Sequence, residues 1–131
     1  MGKAVLFSIK EKYVDDILFG RKTVEVRRRA PVIKPPYKGY IYKVGWNAVV
    51  GEFTVTEVHH HSPGFIPGKR YLLDMCLTES ELMQYTRGGS FSGLRIRDAI
   101  EYGFPVPVTE FARASGEALT RAPQSWCYVK D

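Results

Sequence analysis

Four ionisable side chains crowd the eight-residue segment Gly20-Arg21-Lys22-Thr23-Val24-Glu25-Val26-Arg27. Glu25 and Arg27 are two residues apart, so on a strand they share a face and together present an acceptor and a planar, bidentate donor. Lys22 has the opposite parity and reaches that face only through the freedom of the preceding turn. An amine, a carboxylate and a guanidinium so placed can hold a phosphate or a base edge. As catalytic candidates, Lys22 and Glu25 can move protons and Thr23 offers a hydroxyl. The plain alternative is a solvated strand face on which Glu25 and Arg27 pair with each other, an arrangement worth under about 1 kcal/mol when exposed.

Arg28 and Arg29 extend the basic character, and Lys34, Lys38 and Lys43 follow with Tyr37, Tyr40, Tyr42 and Trp46 interleaved. Cations attract phosphates and aromatic faces stack on bases, which suits single-stranded RNA or one flipped nucleotide. Trp126 and Tyr128 share a face of the last strand and add a further stacking candidate. The competing reading packs these rings into the core and leaves the lysines for solubility.

Other features carry less. His59, His60 and His61 are consecutive, so their side chains point apart, and no cysteine or acidic partner recurs at ligand spacing; no metal is expected. Arg87-Gly88-Gly89 reads as a helix stop. No glycine-rich phosphate loop, dinucleotide fingerprint or nucleophile elbow occurs, and no cofactor is expected.

The elements that must position these groups follow from periodicity. Ala4 to Ile9 reads as a buried strand and Glu11 to Phe19 as a helix with Val14, Ile17 and Leu18 on one side, stopped by Gly20. Thr23 to Arg28 alternates as a strand, with Val24 and Val26 toward the core. Ala30 to Pro36, with three prolines, is an extended loop. Gly39 to Val44 and Ala48 to Val58 form a hairpin around Gly45 and Asn47, and residues 59 to 69 form a loop. Arg70 to Met75 is a helical turn or a short strand. Thr78 and Glu81 form the capping box of a helix that ends at Arg87 to Gly89. Ser92 to Tyr102 is a strand; Pro105 and Pro107 keep the following backbone out of a central ladder. Ser115 to Pro123 is a polar loop, and Gln124 to Val129 is the closing strand. Five or six largely antiparallel strands with two or three short helices make an α+β fold on a small curled sheet or barrel.

The chain has 131 residues, of which 44% are hydrophobic and 25% charged, in the range of one soluble globular domain spanning 1–131. Two distant cysteines, Cys76 and Cys127, argue against a disulfide scaffold or a zinc ribbon and favour a reducing cytoplasm. No apolar run has membrane-spanning length, and Met1 to Ile9 lacks the apolar stretch of a secretory signal. The net charge of +5 points to an anionic partner.

The segment LFSIKEKYVDDILFGRKTVEVRRRAP resembles the opening of the ASCH domain family, whose GxKxxExR signature is met by Gly20, Lys22, Glu25 and Arg27. GEFTV from residue 51 and APQSW from Ala122 to Trp126 are similar to it as well. The resemblance implies a PUA-like β-barrel with a cleft lined by the signature residues, binding RNA or a modified nucleoside, in a monomer or weak homo-oligomer. It makes Lys22, Glu25 and Arg27 binding candidates, with Gln124 and Ser125 offered to a base edge; the basic and aromatic pattern adds Arg28, Arg29, Tyr40 and Trp126. Some members are hydrolases, either cleaving RNA or removing the acetyl group of N4-acetylcytidine with a lysine and a threonine. Here the lysine is Lys22, Glu25 stands at the threonine position, and Thr23 is the nearby hydroxyl.

Overall fold

The structure, a computed structural model, describes residues 3–131; Met1 and Gly2, the start of the stretch read for a secretory signal, lie outside it. Strand β1 (Lys3–Ile9) owes its continuous apolar run to its central position, paired in parallel with β3 (Tyr37–Lys43) and antiparallel with β6 (Trp126–Lys130). Val5, Phe7 and Ile9 enter the main core and Ala4 and Leu6 a second cluster on the other face, so both sides of β1 demand apolar residues.

Helix α1 (Glu11–Leu18) buries Val14 and Ile17, and Gly20, at φ 82°, turns the chain into β2 (Val24–Arg27). The expected hairpin joins β3 to β4 (Ala48–His61), with Gly45 and Asn47 both at positive φ. Helix α2 (Lys69–Met75) resolves the ambiguous segment as helical, and α3 (Glu79–Thr86) carries both halves of the Thr78–Glu81 capping box. Strand β5 (Phe91–Pro107) pairs with β2 and β4.

One expectation is corrected and one strand bound is extended. Residues 59–61 are strand rather than loop, because His59, His60 and His61 pair with Gly93, Ser92 and Phe91 of β5. β5 runs on past the expected end at Tyr102 to Pro107, which pairs with Ala48, but the prolines do stay out of a central ladder position, because β2 covers only Ser92 to Arg95 and leaves the proline half of β5 unpaired on that side.

The sheet order is β2-β5-β4-β3-β1-β6, mixed only at the parallel β1–β3 pair. Three register shifts between β4 and β5 bend the long strands and curl the sheet. It does not close into a barrel. The seam between its edge strands is bridged by side chains instead: Arg27 Nη2 donates to Ser8 O at 3.0 Å, Trp126 Nε1 to Arg29 O at 2.9 Å, and Tyr128 Oη accepts from Val32 N at 2.7 Å.

Candidate functional site

β2 is buried on both faces. Val24 and Val26 pack with Met75, Leu82 and Phe91 under α2 and α3, while Glu25 and Arg27 point the other way and are only 6% and 7% exposed. The solvated-face reading therefore fails: charges this deep must be paired. Arg27 donates from Nε to Glu25 Oε2 at 2.8 Å and from Nη1 to Ser125 O and Oγ at 3.2 and 3.1 Å. Its Nη2 serves Ser8 O and lies 2.7 Å from Glu25 Oε2. These contacts use every nitrogen of the guanidinium fork, so Arg27 braces Glu25 and the seam from within.

Lys22 lies just before β2, where its own N–H bonds to Asp16 O. Its side chain turns inward and is 3% exposed. Nζ donates to Met75 O at 2.5 Å, satisfying a terminal carbonyl of α2. The same amine lies 4.0 Å from Glu25 Oε1 and 4.9 Å from the centroid of the Tyr13 ring. Burial pulls the Lys22 pKa below the ordinary lysine value, opposed chiefly by the Glu25 charge.

Glu25 Oε1 differs from Oε2 in accepting no hydrogen bond among the described residues. Oε1 lies 4.0 Å from the buried Lys22 amine, too far for a direct hydrogen bond and close enough for one further polar group to bridge the two.

The other sequence candidates divide. Ser125 joins the site through Arg27, and Ser8 N also donates to Ser125 O at 2.9 Å. Gln124 precedes β6, which starts at Trp126 rather than 124, and is exposed. Trp126 packs on Tyr128 at 5.1 Å and holds the 29–33 loop. Arg28 and Arg29 are exposed, Arg28 lying 5.6 Å from the Tyr85 ring centroid. Thr23 uses its backbone to tie Asp74 to Ile96. Tyr40 is not brought to the site: it lies on the other face of β3, edge-on to Phe111 at 4.9 Å and bonded to Asp131.

Sequence reasoning missed Tyr13, Ser8 and the Met75 carbonyl. The signal for Tyr13 was the short connection between α1 and β2, which folds the helix back over Lys22. The three histidines take separate partners, Glu57, Ser92 and Tyr71. No group of three His, Cys, Asp or Glu able to hold a metal occurs among the described residues, and none of their helices is long and apolar enough to cross a membrane.

No family model and no curated protein matches this sequence. Among solved structures, the crystal structure of the ASCH protein from Zymomonas mobilis superposes with a TM-score of 0.78 at 22% identity, covering 98% of this chain and 88% of that one. A Tyr-to-Phe variant of the same protein gives 0.80 at 22% identity, covering 98% and 91%, and a Ser-to-Ala variant gives 0.80 at 22%, covering 98% and 89%.

Proposed function

We propose that this chain, which has the fold of an ASCH protein, binds RNA or a modified nucleoside within it, reading one base with Lys22 and Glu25. The observation that carries this reading is the pairing of Glu25 Oε1, which accepts no hydrogen bond among the described residues, with the Lys22 amine 4.0 Å away. A carboxylate oxygen accepts from an exocyclic amino group such as that of cytosine, while an adjacent ammonium donates to a ring nitrogen or carbonyl. Tyr13, against Lys22, supplies an aromatic wall on which such a base can stack. Arg27 acts as a positioning residue that holds Glu25 by Oε2 and leaves Oε1 without a hydrogen bond among the described residues.

Titration calorimetry with cytidine and with a short single-stranded RNA tests the reading. Lys22→Met and Glu25→Gln are expected to weaken binding at least about tenfold, the loss expected for one charge-assisted hydrogen bond. Unchanged binding in both variants would end it.

One observation favours a second reading, hydrolysis. The lowered proton affinity of Lys22 suits a general base acting on an N4-acylated cytidine or an RNA strand. Release of acetate or strand cleavage, abolished by Lys22→Met, would establish it, and binding without turnover would reject it.

A further inference from the structure

Three rings, the half-buried Tyr13 at this site and the exposed Trp46 and Tyr85, each carry a cation. Lys43 Nζ lies 4.0 Å from the centroid of Trp46, Lys12 Nζ 4.9 Å from that of Tyr13, and Arg28 5.6 Å from that of Tyr85. Ion pairs connect them in turn through the start of α1. Glu11 holds Lys43 at 3.9 Å; its chain neighbour Lys12 reaches Glu81 on α3 at 3.9 Å; Tyr85 lies one helical turn beyond Glu81 on the same face. The middle ring, Tyr13, is the one that also touches Lys22.

We propose that Trp46, Tyr13 and Tyr85 form a track for a single-stranded nucleic acid, and that Glu11 and Glu81 occupy the places its phosphates take in the complex. The inference rests on the base-reading role of Lys22 and Glu25 and gives that site its polymeric partner. Both ion pairs are long, and both carboxylates stand in solvent, Glu81 at 44% and Glu11 at 60% exposed; Lys12 is 62% exposed and Lys43 18%, so exchanging carboxylate for phosphate costs least at Lys12. The exchange draws each ammonium off its ring and frees that face for a base, converting a cation–π contact into stacking. The net charge of +5 favours the polyanion throughout.

The two carboxylates are thus competitors of the strand, and neutralising them should tighten binding. Glu81→Gln is well suited to the test because glutamine preserves the capping box. Glu117→Gln, on the exposed 113–118 loop, matches the charge change away from the track. Affinity for hexacytidylate RNA at about 0.1 M salt, a range where charge contacts dominate, should rise about threefold or more in Glu11→Gln and Glu81→Gln and stay level in Glu117→Gln. Trp46→Ala should weaken hexamer binding about fivefold or more, in line with loss of one stacked base, and leave cytidine monophosphate binding unchanged. If the two glutamine variants behave like Glu117→Gln, or if the monophosphate binds as tightly as the hexamer, the track is wrong while the Lys22–Glu25 reading survives. If the wild-type protein binds neither probe, both fall.

Discussion

Removing the Arg27 guanidinium should be among the most damaging single changes on β2. Arg27→Ala deletes four hydrogen bonds, to Glu25, Ser8 and Ser125, and unties the open seam of the sheet. It also leaves the Glu25 carboxylate 6% exposed with only the Lys22 amine, 4.0 Å away, as counter-charge. Breaking one side of a buried ion pair costs about 3–5 kcal/mol, because the remaining charge stays desolvated. At about 3–4 °C per kcal/mol for a chain of this size, the melting temperature should fall by roughly 10–20 °C. Urea denaturation and thermal melts followed by circular dichroism would measure it. Arg28→Ala is the control: its side chain is exposed on Tyr85, and its removal should cost less than about 1 kcal/mol. Arg27→Ala combined with Glu25→Gln should recover part of the loss, since the uncompensated charge is then gone. An Arg27→Ala protein within about 1 kcal/mol of wild type would refute the bracing role.

Two further predictions concern Lys22 and the sheet. Because burial lowers the Lys22 pKa in the folded protein, the unfolded chain binds more protons between that lowered value and the ordinary 10.5, and stability contributed by Lys22 rises with pH across that window. Urea melts should therefore show the wild type gaining on Lys22→Met as pH increases toward 10.5, with a pH-independent difference ruling this out. Gly51→Ala would place its Cβ near the Ile100 carbonyl oxygen, which belongs to paired backbone and cannot rotate away, so a cost of about 1–3 kcal/mol or more is expected. A melt indistinguishable from wild type would show that β4 and β5 separate there freely.

Much of the fold was legible because local chemistry and tertiary structure agree. Gly20 ends α1, Thr78 and Glu81 cap α3, and Gly45 with Asn47 turns the β3–β4 hairpin, each for a reason contained within a few residues. The Glu25–Arg27 pairing also followed from strand parity. What sequence did not reveal depends on long-range partners. Three consecutive histidines carry no period, and they become strand only because β5 offers Phe91 to Gly93 as a ladder. Arg27 is committed to Ser8 and Ser125, 19 and 98 residues away, and Lys22 to Met75, 53 residues away. Tyr40 was grouped with the basic segment by proximity in sequence, whereas the alternation of β3 sends it to the Phe111 side of the sheet.

The most direct test of the account is a crystal structure of the protein with a bound cytidine-containing oligonucleotide. The expected density is a base whose edge lies beside the Lys22 Nζ–Glu25 Oε1 pair, within about 3 Å of both, with its ring against Tyr13 and the Arg27 contacts to Ser8 and Ser125 intact. An oligonucleotide held on another face, with the gap between amine and carboxylate filled only by water, would contradict it.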